Sequence, residues 1–204
     1  ALWQVIARIV QQGSRLGAVR LAATHAACDL LGLSKFAEDH LYRNLDWLAS
    51  KQDVIENRLF KLKETAPHCH LFLYDVTSSY LEGECNAFGE FGYNRDKKKG
   101  KKQIVVGLLT DHEGDPVSVQ VFDGNTADNT TVLEQIRKIV VRFGVKRSIF
   151  VGDRGMLKSP QLAQIADQAD HITALTVVQI RALIKQQVFT LDMFKSISHT
   201  ICHN

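Results

Sequence analysis

The sequence is poor in the features that would place a chain in a membrane or outside the cell. No apolar stretch approaches the roughly 20 residues that a membrane span needs. The opening, ALWQVIARIV, lacks the basic region and cleavage site of a signal peptide. The four cysteines, Cys28, Cys69, Cys85 and Cys202, form no C-x-x-C pair and show no framework spacing, so free thiols in a reducing cytoplasm are expected. Charge of one sign is scarce too. Lys plus Arg is 25 against 22 for Asp plus Glu, and a net charge of +3 excludes a histone-like polycation. Internal repeats and low-complexity linkers are also missing. The chain opens on Ala1 rather than Met, which raises the expectation that its true start has been lost.

What is present is a globular composition: 45% hydrophobic and 23% charged in 204 residues, enough for one domain with a small helical appendage. We expect a helical segment over 1–66, serving packing or DNA contact, and an α/β domain over 67–204. In the first, Leu2, Ile6 and Ile9 share a helical face, as do Leu41, Leu45 and Leu48, then Ile55, Leu59 and Leu62. Gly32 reads as a helix C-terminus and Ser34 as the next N-cap. Beyond Pro67, strands are expected at 71–74, 103–110, 116–122, 148–151 and 171–175, the second and third joined by a loop at 111–115. Helices follow from a capping box at Thr131 and Glu134, from Ser159-Pro160, and over 177–187. That order implies a mixed sheet covered by helices.

Two aspartates stand at matching places. The apolar run 71–74 leads into Asp75, and 149–152 leads into Asp153. For either alone, capping a turn is the commoner role. Together the two readings stand level, because carboxylates from neighbouring strands supply the oxygens that a hard divalent cation wants. Close after Asp75 comes the compositional outlier, Arg95, Lys97, Lys98, Lys99, Lys101 and Lys102, six cations in eight residues. Such runs are usually solvated loops, but a cationic loop above an acidic metal site suits a phosphodiester. Asn125, between a strand and a helix, can orient a ligand or simply shape a turn. Arg154 can neutralise phosphate or pair with a nearby acid.

The segments LYDVTSSYLEG, FGYNRDKKKGKKQIVVGLLTDHEGDPVSVQVFDGNTAD and FVGDRGML, in this order, resemble the catalytic region of bacterial insertion-sequence transposases of the DDE type. The resemblance extends to LWQVIARIVQQGSRLGAVRLA and covers most of the chain. It implies an RNase H-like fold, DNA cleavage and strand transfer at element ends, and a site in which two Asp and a Glu hold two Mg²⁺ or Mn²⁺ ions. Asp75 matches the first acidic position and Asp153 the second, with the basic run and Arg154 on DNA and Thr77 and Asn125 in support. The partners implied are the inverted-repeat ends, target DNA and a second copy of the chain, in the cytoplasm at the nucleoid.

The third acid is missing from the pattern. No glutamate follows Glu134, and Asp167, Asp170 and Asp192 are the only later acids. We therefore expect a chain that stops before the catalytic set is complete and does not catalyse by itself. Two other readings stand beside this one. A haloacid-dehalogenase-type phosphatase shares the strand–Asp outline, but it would place an Asp where Thr77 stands and a further acid soon after Asp153. A catalytically dead DNA-binding remnant is the other.

Overall fold

The computed structural model describes residues 1–63, 70–83, 85–93, 100–157 and 169–188. The chain divides into two compact units, Ala1–Lys63 and Glu64–Asn204.

The first unit holds α1 (Leu2–Val10), α2 (Arg15–Ala22), α3 (Ala27–Leu30) and α4 (Glu38–Lys63). Its core gathers Trp3, Ala7, Cys28 and Leu41, with Ile6, Val19 and Phe36 packed against it. The expected Leu2/Ile6/Ile9 face is thereby corrected, because Leu2 and Ile9 are exposed. Gln4 and Arg8 stand together on one side of LWQVIARIV and leave an apolar face wide enough to hold more than one stripe, so periodicity alone does not choose among them. The largest side chain does, and Trp3 also donates its indole N–H to Ala18 O at 3.2 Å. Ser14 caps α2 by accepting from Gly17 N at 3.0 Å. Gly32 does close α3, at φ +61°, with Leu33 N donating to Cys28 O. Ser34 is no N-cap. Helix α4 begins four residues later, where Ala37 N donates to His40 Nδ1 at 3.2 Å. Within α4, Leu41 is buried and Leu45 and Leu48 half-buried as expected, but Ile55, Leu59 and Leu62 are exposed. Glu56 and Phe60 are buried there instead, and Glu56 Oε1 accepts from Gln52 Nε2 at 2.9 Å.

The second unit carries β1 (His70–Tyr80), β2 (Gln103–Thr110), β3 (Pro116–Asp123), α5 (Asp128–Arg137) running into a π turn at Lys138–Arg142, β4 (Ser148–Gly152), β5 (Asp170–Ile172) and α6 (Val177–Lys185). The strand order is β3-β2-β1-β4-β5, antiparallel between β1, β2 and β3 and parallel between β1, β4 and β5. This is the expected mixed, RNase H-like sheet with flanking helices. One face is sealed by Phe72, Tyr74, Val76, Val105, Leu109 and Phe150, all buried. Helix α5 is tied to that face through β3: Gln135 Nε2 donates to Gln120 Oε1 at 2.8 Å and Lys138 Nζ to Ser118 Oγ at 2.8 Å.

Several local expectations are corrected here. Strand β1 does not stop at Tyr74 but continues to Tyr80, because β2 goes on pairing with it through Tyr80↔Gln103. Strand β5 is three residues long, and α6 ends at Lys185. Helix α5 starts at Asp128 and not from a box at Thr131: Thr131 Oγ1 donates to Asp128 O at 2.7 Å, as a residue inside the first turn does. The buried apolar positions of α5 and its π turn are Val132, Ile136 and Ile139. The helix expected after Ser159-Pro160 lies outside the described residues. No helix among the described residues is long and apolar enough to cross a membrane.

Candidate active site

The register of β1 against β4 brings the two aspartates together. Leu73 pairs with Val151 and Tyr74 with Gly152, so Asp75 is the next residue along β1 and Asp153 the first residue beyond the end of the parallel β4 beside it. Such strands run about 4.8 Å apart. Both aspartates are exposed, on the face opposite the buried Phe72/Tyr74/Val76. Here β4 ends and β1 does not. Asp153 O accepts from Met156 N at 3.0 Å and Leu157 N at 3.1 Å, turning the chain away and leaving β1 open on that side. Asp75 therefore projects from mid-strand at the point where its parallel neighbour stops. Its Oδ1 accepts from Val76 N at 2.8 Å, which restrains the carboxylate.

The two carboxylates line an open cleft of about 740 Å³, together with Leu73, Leu108, Tyr93 and Asp128. Asp128, the first residue of α5, is a third carboxylate there, and sequence reasoning gave it no role. The available signal was its place directly after a strand, a Gly-Asn turn and a short loop, which is also where an ordinary helix start falls. Two hard carboxylates at the end of one parallel pairing, open to solvent and with room around them, suit Mg²⁺ or Mn²⁺, which prefer oxygen ligands and keep several waters.

The other expected residues distribute unevenly. Thr77, two residues beyond Asp75 on the same face, and Asn125, in the loop before α5, line an adjoining smaller cleft. Arg154 is exposed in the turn after Asp153. Lys101 Nζ lies 2.6 Å from Glu82 Oε2, and Lys102 Nζ lies 5.9 Å from the centroid of the Phe91 ring. Arg95, Lys97, Lys98 and Lys99 lie outside the described residues, as do Asp167 and Asp192. Glu134 accepts from Gln120 Nε2 and does not line the cleft. Asp170 pairs with Ile149, four residues back from Asp153 along the sheet and roughly 13 Å away at a strand's rise per residue. Neither residue lines the cleft.

Among the described residues one tight acidic group stands elsewhere. Asp111, Glu113 and Asp115, at the β2–β3 tip, offer ligand atoms within 4.8 Å of one another. Asp111 Oδ1 already accepts from Glu113 N at 3.0 Å and Asp115 N at 2.9 Å. With Gly114 at φ +86°, that is the wiring of a hairpin turn. Of the cysteines, Cys28 and Cys85 are free, and burial pushes the Cys28 thiol up from its ordinary value, away from reactivity.

Residues 69–199 match the family model described as the transposase DDE domain. No curated protein matches the chain. Among solved structures, "Mos1 transposase paired-end complex with left transposon end" matches at 11% identity and a TM-score of 0.30, over 83% of this chain and 56% of that one. The chain thus spans little more than half the length of that relative.

Proposed function

Because the chain belongs to the transposase DDE domain family, we propose that it acts in insertion-sequence transposition, in metal-dependent DNA cleavage and strand transfer at element ends. The observation that carries this reading is the β1/β4 register, which brings Asp75 and Asp153 to one open cleft. In it, Asp75 and Asp153 are the metal-holding residues and Arg154, on the turn beside them, faces the DNA backbone. A divalent ion bound there supplies charge neutralisation for in-line displacement at a phosphodiester. The chain's own groups hold and orient: Val76 N–H restrains the Asp75 carboxylate, and the turn closed on Asp153 O fixes the other.

Manganese paramagnetic broadening of backbone amide resonances tests the site. We expect it to centre on Asp75 and Asp153, to vanish in Asp75→Asn, and to survive in Asp111→Asn. Broadening centred on 111–115 and unaffected by Asp75→Asn would remove the proposed metal site.

A further inference from the structure

Helix α4 carries a stripe that its own unit covers only in part. From Leu41, alternating steps of four and three residues reach Leu45, Leu48, Gln52, Ile55, Leu59 and Leu62, the spacing on which a second helix packs. Leu41 is buried and Leu45 and Leu48 are half-buried, whereas Ile55, Leu59 and Leu62 are exposed. At the covered end the stripe runs into an apolar groove of about 320 Å³, walled by Leu45 and Leu48 of α4, Val5 and Ile9 of α1 and Ala18 of α2. Val5 and Ile9 are exposed as well. Groove and stripe together form one track from Leu45 to Leu62, about 25 Å long at a helix's rise per residue. A lone apolar side chain on a surface is ordinary, but a continuous apolar track marks a place where something docks.

The charges beside the track are of one sign. Arg8 and Arg15 line the groove and, among the described residues, no Asp or Glu does. Arg8 Nη1 donates to Gly13 O at 3.3 Å. Arg15 Nε is buried and has no hydrogen-bond partner. A donor of a permanently charged group is costly to leave unmade, and a carboxylate is the acceptor that matches a guanidinium best. Further along, the exposed Lys51 and Arg58 flank the stripe on one side, each three residues beyond a stripe position.

We propose that this track receives an amphipathic helix of a partner protein, apolar along one stripe and acidic beside it. Its apolar side chains enter the groove at Leu45 and Leu48 and continue over Ile55 and Leu59, while its carboxylates meet Arg15, Lys51 and Arg58. A second copy of the chain does not supply that chemistry. Two α4 helices laid antiparallel along the stripe set the Lys51 and Arg58 cations of the two copies against each other. Laid parallel, they need Glu56 to answer Lys51, and Glu56 is buried and already accepts from Gln52 Nε2 at 2.9 Å. The track lies wholly within the helical unit, so its occupant is a separate matter from the transposase reading.

The test uses the whole chain and a displayed library of helices of about 18 residues, long enough to span the track. Each carries Leu, Ile or Phe along one stripe, with Glu, Gln, Lys or Ala allowed elsewhere. Selected clones should be enriched in Glu over Lys beside the stripe. A labelled synthetic peptide of the strongest clone, titrated by fluorescence anisotropy, should bind at least about tenfold more weakly to Ile9→Ser and to Leu59→Ser. Both side chains are exposed, and thermal melts check that the variants fold. Arg15→Gln should narrow several-fold the advantage of that peptide over its Glu→Gln form. Clones without enrichment of Glu over Lys, no selected clone at all, or an affinity untouched by Ile9→Ser and Leu59→Ser would overturn the proposal. So would sedimentation that finds a dimer dissociated by Leu59→Ser, since a second copy then covers the stripe. Duplex DNA binding weakened by Ile9→Ser and Leu59→Ser as much as peptide binding would also overturn it, in favour of a nucleic-acid surface.

Discussion

Tyr74 and Asp75 are successive residues of one strand, so one side chain enters the core and the other the cleft. Tyr74 is 3% exposed, and its hydroxyl has no hydrogen-bond partner. The neighbouring Thr131 gives its own proton to Asp128 O. Burial above all pushes the phenol up to about 12; Thr131 works the other way, and Glu134, Asp128 and Asp75 add to the rise. The consequence has a sign. The folded state holds this proton more tightly than the unfolded chain, whose ordinary value is 10.0, so the contribution is complete below pH 10 and is lost as pH climbs toward 12. The gap of about two pH units corresponds to at most about 3 kcal/mol. Tyr74→Phe should therefore cost little at pH 7 and resist alkaline unfolding better than the native chain. Denaturant midpoints measured from pH 8 to pH 11.5 check this, and parallel curves for the two proteins would refute it. Asp75 and Asp153 were readable from sequence because an apolar run ending in Asp is a local signal. Asp128 was not, since a residue opening an ordinary helix gives the same sequence signal as one on the cleft wall.

At the scale of elements, the β1–β2 ladder contains a fitted gap. Gly107 pairs with Val76, and a Cβ added to it would lie 2.3 Å from Tyr74 Oη and 2.9 Å from Cζ. The phenol lies in the space that a side chain at 107 would take. Gly107→Ala should destabilise the fold by about 1–3 kcal/mol, as overpacking does. Tyr74→Phe should recover part of that loss and not all, because Cζ remains. A double-mutant cycle in urea measures the coupling, and strictly additive effects would show that the two groups do not meet. The β2 strand was well legible in the sequence for the same geometric reason: a sheet buried on one face repeats every second residue, and β2 obeys that rule along its length, whereas β3 breaks it where Val117 and Ser118 are both buried beside a register shift. Helix faces were less so. Both α1 and the last turns of α4 hold more than one apolar stripe, so a period of 3.6 fits several and tertiary packing chooses among them. The end of β1 was hidden because β2, far along the chain, extends it past Asp75.

For the whole molecule, a net charge of +3 is too small to attract DNA by a global field. Affinity for a phosphodiester backbone then has to come from local concentrations of cations, and residues 95–102 are the densest, with six in eight. Lys101 is paired with Glu82 at 2.6 Å, but both side chains are well exposed. Such a pair holds its lysine weakly, by about 0–1 kcal/mol, so a phosphate can take Lys101 over at little cost. Each phosphate contact releases about 0.9 counterion on duplex DNA, which makes the salt dependence a count of contacts. Replacing Lys97, Lys98 and Lys101 together by Ala should loosen binding at low salt. It should also flatten log K against log salt by up to about 2.7, with little dependence on the duplex sequence. Anisotropy titrations from about 0.05 to 0.2 M salt read both quantities. An unchanged slope would take the run out of the DNA interface and shift the contact to cations of the helical unit, such as Arg15, Arg20 and Arg43. The same titration with Asp75→Asn separates the two parts of the site. Removing a carboxylate should leave the slope as it is or steepen it, because that charge repels the backbone that the lysines hold.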